Sequence, residues 1–137
     1  MTVGGATAKV GDAVIDKTFP RITRATLALY AGASGDHNPM HIDSDFAKAA
    51  GFPDVFAQGM FVMGLLGQAL TDSVPPARLR TFSTRFVAIT QLGAVIRCEG
   101  TIAEVFEAEG ERRARLTLSA KDQAGDVKLA GEAIVAL

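Results

Sequence analysis

A single cysteine, Cys98, occurs among the 137 residues, so no disulfide can form within the chain. It falls in an alternating apolar segment, where a small buried hydrophobe is expected in preference to a reactive thiol. No run of about 18 apolar residues occurs, which argues against a helix crossing a bilayer. The first ten residues, MTVGGATAKV, lack the basic start and apolar stretch of a secretory signal, and with the lone thiol this leads us to expect a cytoplasmic protein. Blocks of like charge are missing too. The 14 Lys and Arg nearly balance 15 Asp and Glu, with basic residues standing singly or in pairs such as Arg112 and Arg113. Nucleic acid is therefore not an expected partner. A few local charges at a pocket mouth would still suit a phosphate-bearing ligand. Internal repeats and low-complexity segments are absent from the sequence as well.

What is present is apolar material, 48% of the chain, enough for the core of one domain and too little for two. We expect one domain over 1–137, with residues 1–8 a loose lead-in. Residues 13–19 alternate weakly up to Pro20, as a short strand would. Thr23 can cap a helix whose Leu27, Tyr30 and Ala31 have helical spacing, ending towards Gly32 and Gly35. Asp43 or Ser44 can cap a second helix over 45–50, which Gly51 stops. Residues 59–70, GMFVMGLLGQAL, are apolar nearly all round, so a helix there should be buried. Gly64 and Gly67 cost that helix about 1 kcal/mol each against alanine, which points to something passing close beside it. Pro75 and Pro76 end the helical half. Period-two alternation then marks strands over 81–89, 95–106, 112–121 and 126–136, with turns at Gly110 and at Ala124 and Gly125. The expected class is α+β, an antiparallel sheet covering the 59–70 helix.

Reactive groups concentrate in residues 34–43, SGDHNPMHID, which hold both histidines. Pro39 fixes one backbone angle and disfavours helix at Asn38, so Asp36 and His41 sit on a bent loop able to aim both side chains at one point. Ser34 and Asn38 can tie that loop through side-chain to backbone hydrogen bonds. On the plainer reading, Gly35, Asn38 and Pro39 only make turns and Asp36 caps an amide. His41 adds an imidazole that titrates near neutral pH, and a carboxylate beside it gives a pair able to polarise one water. A metal held by Asp36, His37, His41 and Asp43 is the other chemical reading. Pro39 keeps the histidines from meeting across a helical turn and no second ligand cluster exists, so no metal is expected. His37 reads as a surface residue and Asp43 as a cap. Gly59 opens the apolar helix, where its amide would be a free donor at the positive end of the helix dipole. Such a donor suits a thioester oxygen gaining charge as an enolate forms.

These residues together resemble the MaoC-type dehydratases and (R)-specific enoyl-CoA hydratases. The composite motif is Tyr30, then Ser34-Gly35-Asp36-His37-Asn38-Pro39-Met40-His41, then Ala47, followed by Ala57 to Met60 as AxGM. The resemblance implies a hot-dog fold, one long helix wrapped by an antiparallel sheet. It implies Asp36 and His41 as a catalytic pair from one subunit and the Gly59 amide as oxyanion donor. Ser34, Gly35, Asn38 and Pro39 become loop supports, and Tyr30, Gln58, Met60, Met63 and Gly67 the positions expected at the acyl group. The implied substrate is an acyl-CoA or acyl carrier protein thioester, with no cofactor. Two positions depart from the pattern: many members have His at Gln58, and some have at Gly67 a Ser that orients the aspartate. Rival readings are a hot-dog thioesterase and a subunit that shapes a pocket for a catalytic partner. A sheet edge and apolar surface that pairing would cover lead us to expect a homodimer.

Overall fold

Helix starts follow the local signals closely. In the computed structural model, which describes residue 3 and residues 6–137, the Thr23 hydroxyl accepts the Thr26 N–H at 3.2 Å and opens helix α1, Arg24–Ser34. Gly32 is absorbed into that helix, and Gly35 ends it at φ 76°, donating its N–H to the Ala31 carbonyl. Only glycine takes that left-handed conformation without strain. Asp43 is the cap of helix α2, Ser44–Ala49, accepting from the Asp45 and Phe46 amides at 3.0 and 3.1 Å. Helix α3 is the long one, Gly59–Ser73.

The strands are β1 Ala13–Thr18, β2 Leu79–Phe86, β3 Arg97–Ala108, β4 Glu111–Lys121 and β5 Val127–Ala136. They form one antiparallel sheet in the order β1-β3-β4-β5-β2, and α3 packs against all five. Alternation decides which face meets the helix. Ala114, Leu116, Leu118 and Ala120 of β4 are buried, while the residues between them are at least partly open to solvent. Their burial with Leu66, Leu70, Ile96 and Ile102 forms the core. This is the expected α+β, hot-dog arrangement of a sheet on a central helix.

Three expectations change. The α3 helix is buried along Val62, Leu66, Ala69, Leu70 and Ser73 only, whereas Met60 is 55% exposed and Gly64 and Gln68 are open. A five-stranded sheet reaches one side of a helix, and the apolar residues on the far side stay outward. The strand expected to run to residue 89 ends at Phe86, because the Val87 and Ala88 amides both turn to the Lys128 carbonyl instead of continuing the ladder. The lead-in is not loose where it is described: Val3 and Ala8 are buried, Val3 donates to the Ser73 carbonyl, and Gly11 and Asp12 bond to Ile102. Residues 1, 2, 4 and 5 lie outside the described residues. Cys98 is fully buried, and burial pushes its thiol up to about 12, which makes it a core side chain and not a nucleophile.

One glycine is set by close approach. A methyl group on Gly131 would lie 2.2 Å from the Ser83 carbonyl oxygen of the paired strand. Backbone, unlike a flexible side chain, must shift as a unit to relieve that contact. Gly131→Ala is expected to destabilise the fold by about 1–3 kcal/mol or more, measured as a lowered urea midpoint; an unchanged midpoint would show that β2 moves freely on β5.

Candidate functional site

The segment 35–43 is held in shape by its own short side chains. Ser34 Oγ accepts from the Asp36 amide at 3.1 Å, and Asp36 Oδ1 accepts from the Asn38 amide at 3.3 Å. Asn38 Oδ1 then accepts from the Met40 amide, starting a single 3-10 turn, Pro39–His41. Proline at the first position of that turn loses no bond, since its missing N–H would have had no partner. Ser34, Gly35, Asp36, Asn38, Pro39 and Met40 therefore each have a local task, and the result is that Asp36 and His41 face one another.

Their geometry is specific. His41 Nε2 lies 3.8 Å from Asp36 Oδ2. His41 is nearly buried, while the Asp36 side chain remains 46% exposed. On its other side the His41 ring places Nδ1 2.7 Å from the Phe56 carbonyl oxygen. A carbonyl can only accept, so Nδ1 carries the proton, and in the neutral ring Nε2 offers a lone pair. Phe56 also packs edge-on to the imidazole with centroids 5.1 Å apart, and its amide bonds the Met40 carbonyl. Asp36 and Nε2 are thus both acceptors across a gap too long for a direct bond. A water donating one proton to each fits such a gap and would point its lone pairs elsewhere.

Asp54 anchors the chain entering Phe56. It accepts from Ser44 Oγ at 2.7 Å and the Val55 amide at 2.8 Å, and it pairs with Arg24. The Ser44 hydroxyl first, then the Val55 amide, hold its carboxyl down at about 2, with Arg24 adding a smaller pull. A carboxyl held below its usual value of about 4 stabilises the fold while ionised and stops doing so as pH falls through that interval. We expect stability to drop between pH of about 4 and 2, and Asp54→Asn to flatten that drop. Urea midpoints at stepped pH measure it, and equal slopes in both proteins would discount Asp54.

His41 opens onto a cavity of about 340 Å³, walled by Phe56, Ala57, Gly59, Val62, Leu129 and the stretch from Phe86 to Thr90. Gly59 begins α3, and its N–H has no acceptor among the described residues; Gln58 makes no capping bond with its side chain. Asp36 stands beside the cavity and is not part of its wall. The positions expected at the acyl group are placed differently. Tyr30 packs edge-on against Phe61 with centroids 5.3 Å apart. Gln58 is fully buried and turned to α1, donating to the Leu27 carbonyl at 3.2 Å, with Oε1 lacking a partner among the described residues. Met60 points outward, and none of Tyr30, Gln58, Met60, Met63 and Gly67 lines the cavity. The space expected beside Gly67 holds the Phe82 ring, 3.4 Å from where a methyl would sit. His37 is exposed and Asp43 is spent on its cap. Sequence reading missed Phe56, Phe86, Val62 and Leu129. No local signal marked the Phe86 to Ile89 wall, since FVAI reads as a continuation of the strand.

A family model described as MaoC like domain matches residues 6–123. Among curated proteins, the chain is 37% identical over 98 residues to 3-hydroxyacyl-thioester dehydratase X of Mycobacterium tuberculosis, covering 72% of this chain and 32% of that protein. It is 35% identical over 80 residues to the peroxisomal enoyl-CoA hydratase 2 of Arabidopsis thaliana, covering 56% and 26%. The chain thus spans a third or less of those two relatives. It covers 72% of the 3-hydroxybutyryl-CoA dehydratase of Methylorubrum extorquens, at 28% identity over 116 residues and 83% of this chain. An unliganded R-hydratase from Pseudomonas aeruginosa superposes with a TM-score of 0.83 at 30% identity, over 96% of this chain and 83% of that one. An (R)-hydratase from A. caviae involved in PHA biosynthesis also gives 0.83, at 26% identity, over 97% and 99%. With one sheet-on-helix architecture shared across these structures and the family model spanning residues 6–123, the chain belongs to the MaoC-like dehydratase family.

Proposed function

We propose that the protein adds water to 2-enoyl thioesters, giving (R)-3-hydroxyacyl thioesters, and catalyses the reverse dehydration. The observation that carries this reading is the contact of His41 Nδ1 with the Phe56 carbonyl. With Nδ1 bound to the Phe56 carbonyl, Nε2 and Asp36 Oδ2 form two acceptors 3.8 Å apart. A water between them donates both protons inward and presents its oxygen to the β carbon. As the C–O bond forms, one proton leaves the water for Nε2 or the carboxylate, and the double-bond electrons move towards the thioester carbonyl. The Gly59 N–H, at the positive end of α3, stabilises the charge gathering on that oxygen. The proton then returns to the α carbon, so the pair ends as it began.

The substrate carrier is coenzyme A or an acyl carrier protein. Loss of enoyl absorbance on crotonyl-CoA, followed by chiral analysis of the product, tests the reading. Thioester hydrolysis without hydration would replace it with a thioesterase. The assembly proposed is a homodimer. It is supported by exposed Met60 and Val87, 55% and 53% open, and by β2 standing at an edge of the sheet. A stable monomer in sedimentation would contradict it.

A further inference from the structure

The seam between α3 and β2 has an unusual composition. Gly59, Met63 and Gly67 are four residues apart and so form one stripe of the helix. Phe86, Thr84 and Phe82 alternate along β2 and share the inner face, paired with Leu129, Gly131 and Ala133. The two lines meet glycine to ring. A methyl on Gly59 would lie 2.9 Å from the Phe86 ring, and one on Gly67 3.4 Å from the Phe82 ring. Thr84 lies between the rings, its hydroxyl buried without a partner among the described residues.

The rings differ in freedom. Phe82 is packed against the core. Phe86 ends its strand, is 57% exposed, and forms part of the cavity that holds His41 and Gly59. Its ring therefore bounds the cavity at Gly59, the end from which the stripe of Met63 and Gly67 runs on. At about 340 Å³, the cavity is at the small end of the roughly 300–1,000 Å³ usual for ligand pockets. The wall beyond the reacting groups is apolar, suited to a hydrocarbon tail.

We propose that Phe86 sets the acyl length: its ring, seated on the Gly59 backbone, closes the cavity and restricts the enzyme to short 2-enoyl thioesters. This rests on the hydratase reading for its substrate. A short tail ends against the ring, and a longer one has to displace it into solvent before reaching the seam. Removing the ring joins cavity and seam, where further methylenes find apolar contact. A single methylene in a hydrophobic pocket is worth roughly 10- to 200-fold in discrimination, so the effect is measurable.

The test compares kcat/KM for four-carbon and eight-carbon 2-enoyl-CoA in the native protein, Phe86→Ala and Phe86→Trp. The ratio within one preparation does not depend on how much of it is folded. Expected is a preference for the four-carbon substrate of about tenfold or more, shifted towards eight carbons by at least about tenfold in Phe86→Ala and away from it in Phe86→Trp. Calorimetric affinities for butanoyl-CoA and octanoyl-CoA, which cannot react, give the same ratio without turnover. Ratios unmoved in both variants, with hydration intact, overturn the role of Phe86 alone. Absent hydration with an affinity ratio that still follows residue 86 overturns the reaction and leaves the length limit standing. Neither hydration nor acyl-CoA binding in the native protein overturns both.

Discussion

Asp36→Asn and His41→Ala are each expected to lower kcat by about 10²- to 10⁴-fold, the span for loss of a positioned acid or base. Asparagine keeps the shape and the Oδ1 that accepts the Asn38 amide. What it loses is the ability to receive a proton, and its amide group presents an N–H where an acceptor is needed. His41→Ala removes the lone pair at Nε2 and also the bond to the Phe56 carbonyl, so a stability loss of about 1–3 kcal/mol accompanies it. In the proposed mechanism the two groups act on one water, so the double variant is expected to lose little more than the worse single one. Steady-state hydration rates beside circular dichroism check both parts. Near-normal turnover in folded Asp36→Asn would remove the carboxylate from the mechanism.

Replacing Gly59 by proline separates the amide from the side chain. Gln58 sits at φ −59° and ψ 135°, a conformation favoured before proline, and the first helical position tolerates proline well. Proline and alanine both push a carbon against the Phe86 ring, so the steric insult is shared. Only proline lacks the N–H. We expect kcat of Gly59→Pro to fall about 10²- to 10³-fold below that of Gly59→Ala, the usual loss for one oxyanion donor. Equal rates in the two variants would move the oxyanion donor elsewhere, with the Met60 amide the next candidate.

The reading from sequence succeeded where the signal is short in range. Thr23 and Asp43 are caps because their side chains reach amides two or three residues on. The Asp36 to His41 loop folds through bonds spanning two or three residues, so the meeting of carboxylate and imidazole was legible. The end of β2 was not. Val87 to Ile89 continue in an apolar vein that reads as strand, and only the shared Lys128 carbonyl turns them aside. Gln58 likewise was expected at the acyl group, through the resemblance. Its orientation depends on the Leu27 carbonyl, which no local pattern announces.

Local patterning alone therefore dictated the order of elements, their caps and the meeting of Asp36 with His41, since backbone propensity and side-chain reach act over a few positions. Long-range packing selected the rest. It chose the carbonyl that holds the His41 proton, fifteen residues along the chain, and the ring that lies on Gly59. It also left one side of α3 outward. Those choices follow from how β2 pairs with β5 and how far a five-stranded sheet reaches around one helix, and shape complementarity between distant segments is written in no single stretch of sequence.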